Sequence, residues 1–135
     1  MKVVRKEEIN KFLEREPVVG KKMLEPLRTL VLAKELPFGI VEDFEVKESE
    51  AEVHKHEGDL WLCLEGEVEF TCGGELVESW IRDGSNGNEL GGKDIKNGQK
   101  VVLKSGDWLW IPPGEPHLHR AKLARMVVVK VPNWS

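Results

Sequence analysis

Residues 54–67 read HKHEGDLWLCLEGE. They hold two of the four histidines of the chain, His54 and His56. The other two, His117 and His119, lie in residues 106–120, GDWLWIPPGEPHLHR. Each His-x-His pair sits beside glycines and strand-forming residues. Successive side chains of a strand alternate faces, so residues two apart project together, about 6.5–7 Å apart. His54 and His56 are therefore expected on one face with Lys55 turned away. Two imidazoles so placed can converge on one metal ion at about 2.0–2.1 Å each. Asp59 opens the next strand after the Glu57-Gly58 turn and is expected to return a carboxylate to the same side, with Glu57 as its competitor. Two histidines and a carboxylate resemble a facial triad, and a third histidine from the second stretch leaves one or two coordination positions open.

By the same period of two, Trp61 and Cys63 share the face of Asp59 and are expected to line the interior near the metal, together with His119. Leu60, Leu62 and Leu64 then face outward. A row of leucines on an outer face needs cover, either an N-terminal helix or a second copy of the chain. Trp108, Trp110 and Trp134 are candidates for such an interface, and a homodimer is the expected assembly.

The remainder of the chain reads as scaffold. Its 135 residues suit one domain with a buried core. Hydrophobic content of 40% with 33% charged residues describes a soluble, folded chain. A formal net charge of −4 argues against nucleic acid or an anionic membrane as the main partner. No apolar run reaches the roughly 18–20 residues of a membrane helix, and residues 1–16, MKVVRKEEINKFLERE, lack the apolar core of a secretion signal. A cytoplasmic location is expected, with Cys63 and Cys72 as free thiols.

Ile9, Phe12 and Leu13 recur at helical spacing, so a short amphipathic helix is expected before Pro17. Residues 1–26 form a helical extension and residues 27–135 the main body of a single domain. Leu27–Lys34 alternates and reads as a strand, followed by strands at 40–47, 53–56, 59–64, 68–72 and 76–81. Glu65-Gly66-Glu67 reads as a hairpin turn. Residues 82–99, RDGSNGNELGGKDIKNGQ, read as a long surface loop that rims the pocket or carries a small hairpin. Strands at 100–104, 108–111, 117–121 and 126–131 close the chain. So many short strands with regular turn signals describe an all-β sandwich or barrel.

The second histidine stretch resembles the cupin family. That family carries G-x5-P-x-G-x2-H-x3-N, and this chain has Gly106, Pro112, Gly114 and His117 at those places, with Ala121 where the asparagine would fall. The first family motif is G-x5-H-x-H-x3,4-E-x6-G. Aligned on His54 and His56, the chain has Asp59 and then Gly66, with two residues before the acid, Asp in place of Glu, and Glu48 in place of the leading glycine. The resemblance implies a cupin-type double-stranded β-helix, a jelly-roll barrel. It implies His54, His56, Asp59 and His117 as ligands of one divalent transition metal ion (Fe, Mn, Zn or Ni), with Trp61, Cys63 and His119 around a small-molecule ligand. Cupins host many reactions and also binding modules. A mononuclear-metal enzyme of dioxygenase, isomerase or decarboxylase type is expected on a small oxygen-containing metabolite, and a non-catalytic binding or sensory module is the alternative.

Overall fold

The computed structural model describes residues 1–134. Among the described residues, nine strands form one continuous antiparallel sheet that curls on itself, and a two-stranded ribbon lies beside it. Two long strands organise it, β4 (Glu57–Cys72) and β11 (His117–Pro132). They pair with each other along most of their lengths, from His117 opposite Cys72 to Pro132 opposite Glu57. β2 (Phe38–Val46) flanks β11, and β1 (Gly20–Met23) flanks β2. β3 (Ala51–His54) pairs with the start of β11 and with β7 (Glu89–Gly92), which pairs with β6 (Trp80–Ile81). β9 (Gln99–Lys104) and β10 (Trp108–Ile111) pair with the two ends of β4. β5 (Glu75–Val77) and β8 (Asp94–Lys96) make the ribbon.

Alternation along β4 and β11 builds the interior. Trp61, Cys63, Val68 and Phe70 meet Met126 and Val128 in one apolar core inside the barrel. The outward leucines divide. Leu64 packs with Val127 against a second core of Phe12, Leu24, Leu27, Leu36 and Ile40. Leu60 lines a surface groove with Trp110, Val131 and Trp134, and Leu62 pairs with the exposed Trp108. The N-terminal segment therefore covers one end of the leucine row, and three tryptophans gather at the other.

Three expectations are corrected. Leu27–Lys34 is not a strand: Leu27–Leu32 forms the short helix α2. Leu27, Leu30 and Val31 also stand at i, i+3, i+4, and the second core takes that face. The Glu25 carboxylate helps by accepting from the Thr29 amide (3.1 Å) and hydroxyl (2.7 Å). The extension contains more than its helix α1 (Lys6–Glu14), since β1 within it is a strand of the main sheet. Residues 65–67 are not a hairpin turn. β4 is continuous through Gly66, and β11 likewise is one strand, with register shifts between Arg120 and Ala124 and between Arg125 and Met126.

Gly66 is what allows that passage. Its φ is +76°, and a Cβ there would run into the Leu123 carbonyl. Gly66→Ala is expected to destabilise the fold by at least about 1–2 kcal/mol, the left-handed penalty of one residue. Denaturant unfolding of the two proteins reads the difference.

Candidate metal centre

The chain brings three ligand-type side chains together with a fourth beside two of them, and β-pairing explains how. β3 is short and two-sided: Glu52 stands opposite His117 on β11, and His54 stands opposite Glu89 on β7. Glu52 and His54 lie two apart on one strand and share a face. Their ligand atoms and that of His117 all lie within 4.8 Å of one another. Asp59, two residues into β4, closes the group from the neighbouring strand. Its Oδ2 is 3.5 Å from His54 Nε2 and 3.5 Å from His117 Nε2. Glu52 Oε2 is 3.5 Å from His54 Nε2.

These separations have a chemical meaning. Two donors each about 2.0–2.2 Å from one tetrahedral ion stand roughly 3.4 Å apart. The donor atoms are also left without partners. His54 Nε2, His117 Nε2 and Asp59 Oδ2 are buried and make no hydrogen bond among the described residues. Buried polar atoms are normally satisfied, so three orphans aimed at one point are the mark of a missing common partner. Each imidazole is held by its other nitrogen. His117 Nδ1 is 3.0 Å from the Glu115 carbonyl, which only accepts, so Nδ1 carries the proton and Nε2 the lone pair. His54 Nδ1 donates to Glu89 Oε2 at 2.5 Å. Outer-shell partners of this kind fix tautomer and ring orientation and raise ligand basicity.

Comparison with known proteins gives the same architecture. No family model matches the chain. No curated protein matches it either. Among solved structures, the Drosophila melanogaster CENP-C cupin domain superposes with TM-score 0.52 and 13% identity, over 72% of this chain and 58% of that one. Drosophila melanogaster CENP-C bound to CAL1 gives 0.50 and 12%, over 70% of this chain and 60% of that one. Recombinant oxalate oxidase in complex with glycolate gives 0.50 and 18%, over 85% of this chain and 51% of that one.

The chain has a cupin fold. It spans little more than half the length of those structures, 51–60%, and identities this low speak to the fold alone.

Within this barrel, the resemblance to the first cupin motif is met two residues earlier than the two histidines suggest. His56 does not share the face of His54. It lies in the exposed turn Lys55-His56, and its carbonyl accepts from the Asn133 amide at 2.7 Å. β3 ends at His54, so the alternation that paired positions 54 and 56 stops there. The pair that points inward is Glu52-x-His54. In that register four residues separate His54 from Asp59, within the family's three or four, and six separate Asp59 from Gly66. Val46 takes the place of the leading glycine. Glu57 is half-buried, and its carboxylate stands 4.0 Å from the Lys130 ammonium. Glu52 escaped the sequence reading because ESEAE looks like a solvated acidic connector. The spacing from His54 to Asp59 was the available signal.

A cavity of about 350 Å³ opens beside the group, with Glu52, Asp59, His117, Trp61 and His119 on its wall. His119 is buried and donates from Nδ1 to Asp43 Oδ2 at 2.6 Å. Its ring meets those of Trp61 at 5.0 Å and Phe70 at 5.1 Å. Cys63 lies deeper, in the core rather than on the cavity wall, with Sγ 3.6 Å from the Glu65 and Gly66 carbonyls. Residues 82–99 are more than a connector. They supply β7, which seals β3 and sets Glu89 against His54.

The electrostatics favour a neutral, metal-ready His117. Burial, together with the nearby His54, pulls His117 down to about 4. Burial would raise the Asp59 carboxyl, but His54 and Lys130 outweigh it and hold it well below the usual carboxylate range. Lys130 Nζ donates to Asp59 Oδ1 at 2.9 Å, leaving Oδ2 to face the histidines. Burial would lower His54, but Asp59 and Glu89 outweigh it and raise the imidazole.

A pH dependence of the metal-free protein follows. His117 falls from an ordinary 6.5 to about 4 on folding, so the unfolded chain binds the extra proton first. Its contribution is complete above 6.5 and is lost as pH falls through about 4. The loss is expected to be about 2–3 kcal/mol, partly offset by His54, which shifts the other way. Denaturant unfolding of chelator-treated protein above pH 6.5 and near pH 4 measures it. Equal stability at both would contradict it.

Proposed function

We propose that the chain is a metal-binding cupin in which Glu52, His54, Asp59 and His117 hold one divalent transition metal ion, Fe, Mn, Zn or Ni, and that it acts as a mononuclear-metal enzyme on a small oxygen-containing metabolite. The observation that carries this reading is the convergence of three orphaned buried atoms, with Asp59 Oδ2 3.5 Å from both His54 Nε2 and His117 Nε2. Mixed nitrogen and oxygen donors suit all four metals, so availability selects among them. Bound there, such an ion acts as a Lewis acid toward a substrate oxygen or as the binding point for O₂, the chemistry of dioxygenase, isomerase and decarboxylase types.

The chain's own residues supply the rest. Glu89 and the Glu115 carbonyl keep both imidazoles turned inward. Lys130 orients the Asp59 carboxylate. Trp61 and Phe70 exclude water behind His119. A homodimer, with the groove of Leu60, Trp110, Val131 and Trp134 at its interface, belongs to the same proposal.

The direct test is metal analysis of protein purified without added metal. One ion per chain, removed by chelator and restored on addition, is the expected result. Protein that neither carries nor takes up metal overturns the reading. A substrate panel with O₂ uptake then separates an enzyme from a non-catalytic binding module: binding without product in any member supports the module.

A further inference from the structure

The cavity beside the candidate metal centre has a second property, which the ligand group does not use. Of the charged side chains on its wall, Lys21, Lys22, Arg82 and Lys130 are cations, and only Glu52 and Asp59 are carboxylates. This occurs in a chain with more acidic than basic residues, 24 against 20. The four cations come from separate parts of the sequence. Lys21 and Lys22 lie on β1, Arg82 follows β6, and Lys130 is on β11. The fold has gathered them.

Their present partners are few. Arg82 Nη1 is 3.4 Å from Glu52 Oε1, and Lys130 reaches Asp59. Both carboxylates belong to the ligand group, so a bound divalent ion competes for the charge that now offsets Arg82 and Lys130, leaving Lys130 with Glu57 at 4.0 Å. Lys22 pairs with Glu42 at 3.2 Å, behind the wall. Lys21 makes no ion pair within 4.0 Å among the described residues, and its ammonium donates to the Ser49 hydroxyl. A neutral donor joins the cations. Trp61 lines the cavity, is 4% exposed, and its indole N–H has no partner among the described residues. An indole N–H only donates, and lysine and arginine have no acceptor. Asp43 Oδ1 is also unpartnered, but Asp43 is fully buried behind His119 and does not line the cavity.

Outside the ligand group, the spare groups of the wall are cations and the Trp61 N–H, with one acceptor, His119 Nε2, whose Nδ1 is taken by Asp43; that balance calls for a ligand that brings acceptors and negative charge. The volume, about 350 Å³, is at the small end of ligand sites. We propose that the ligand of this site is a small carboxylic acid, bound as its anion with one end toward the metal group and its carboxylate held by Lys21 and Arg82 and by the Trp61 N–H. This deepens the metal-enzyme reading and rests on it for the orientation of the ligand, whereas the preference for an anion is a property of the wall itself.

The test follows the Trp61 indole N–H by ¹H–¹⁵N NMR, its signal assigned with Trp61→Phe. Protein with and without Zn²⁺ is titrated with glycolate, methyl phosphate and glycolamide, and bound zinc is measured in parallel. Glycolate is expected to shift the Trp61 signal and to bind at least about tenfold tighter than the neutral glycolamide, the order of one charge-assisted hydrogen bond. Lys21→Ala is expected to weaken glycolate by a similar factor while zinc content stays that of the wild type, and Arg82→Ala, which also removes the partner of Glu52, is expected to weaken glycolate by a similar factor at matched zinc occupancy. Zinc uptake without any preference for glycolate over glycolamide, or a preference that both variants retain, overturns the proposal and leaves the metal reading standing. Tighter binding of methyl phosphate than glycolate overturns the carboxylic acid assignment in favour of a phosphate. Failure to bind zinc, iron, manganese and nickel alike sinks the metal reading, and the anion preference is then judged on the metal-free titration, where its absence overturns it too.

Discussion

His54→Ala is expected to abolish stoichiometric metal binding, and His56→Ala is expected to leave it intact. The two histidines look equivalent in the sequence, which gives the comparison its force. His54 is buried, its Nε2 lies 3.5 Å from both Glu52 and Asp59, and its Nδ1 is braced by Glu89. His56 sits in an exposed turn and is held through its backbone carbonyl. Loss of an outer-shell partner alone typically lowers metal affinity about 10–100-fold, so loss of a ligand should exceed that range. Glu89→Gln, which keeps the shape but weakens the acceptor at His54 Nδ1, is expected to fall within it. Metal analysis after dialysis, with competition against a chelator of known affinity, gives all three values. Equal metal loss in His54→Ala and His56→Ala would refute the assignment of Glu52-x-His54 as the inward pair. A fully loaded His54→Ala would refute the site.

Arg125→Ala is expected to cost about 3–5 kcal/mol of folding stability, the range for breaking a buried ion pair by removing one partner. Arg125 is 3% exposed on β11 and faces away from the cavity. Its Nε donates to Glu42 at 2.9 Å, and its Nη1 donates to Glu65 at 2.5 Å and to the Leu13 carbonyl at 2.8 Å. Its Nη2 donates to the Arg15 carbonyl. One guanidinium therefore ties the end of α1 to β2 and β4. Glu42 is 1% exposed and would keep only Lys22 and the Val18 amide once Arg125 is gone. Domains are stable by about 5–15 kcal/mol in all, so this is a large share. Urea unfolding measures it. Glu42→Ala combined with Arg125→Ala should cost less than the two single changes added, because the second removal no longer strands a buried charge. Strict additivity would show that the pair is not coupled. The segment that carries Lys21 and Lys22 is the one Arg125 fastens, so the same change is expected to speed proteolysis before β2.

Both expectations turn on residues whose importance is unequally visible. The glycines and prolines around His117 mark it, because their spacing from Gly106 to His117 is what resembles the cupin pattern. The inward face of Trp61, Cys63 and Asp59 is also legible, since alternation along an uninterrupted strand fixes which residues turn in. All three are buried as that alternation requires. Where a strand ends is less visible. β3 stops at His54, and that one boundary decides whether Glu52 or His56 is the neighbour of His54 on its face. Leu27–Ala33 presents the same kind of ambiguity, since its apolar residues satisfy both a period of two and the i, i+3, i+4 spacing. Only the second core, waiting above β2, selects the helix.

By itself, the sequence determined the all-β barrel, the N-terminal helix, and the meeting of two distant stretches that bring His54, Asp59 and His117 together. These follow from local geometry, namely strand alternation, turn-forming glycines and prolines, and spacing. The tertiary structure decided Glu52, which stands opposite His117 only because β3 lies beside β11. It decided Glu89, which meets His54 only because the glycine-rich segment folds back as β7. It decided the four cations on the cavity wall, which come from β1, β11 and the residue after β6. It turned Arg125, which lies between two expected strands, and Glu42, within the expected strand 40–47, into a buried pair. The physical reason is the same in each case: a side chain's neighbours across strands depend on register and on which layer covers the outer face, and neither is written in the spacing of any single segment.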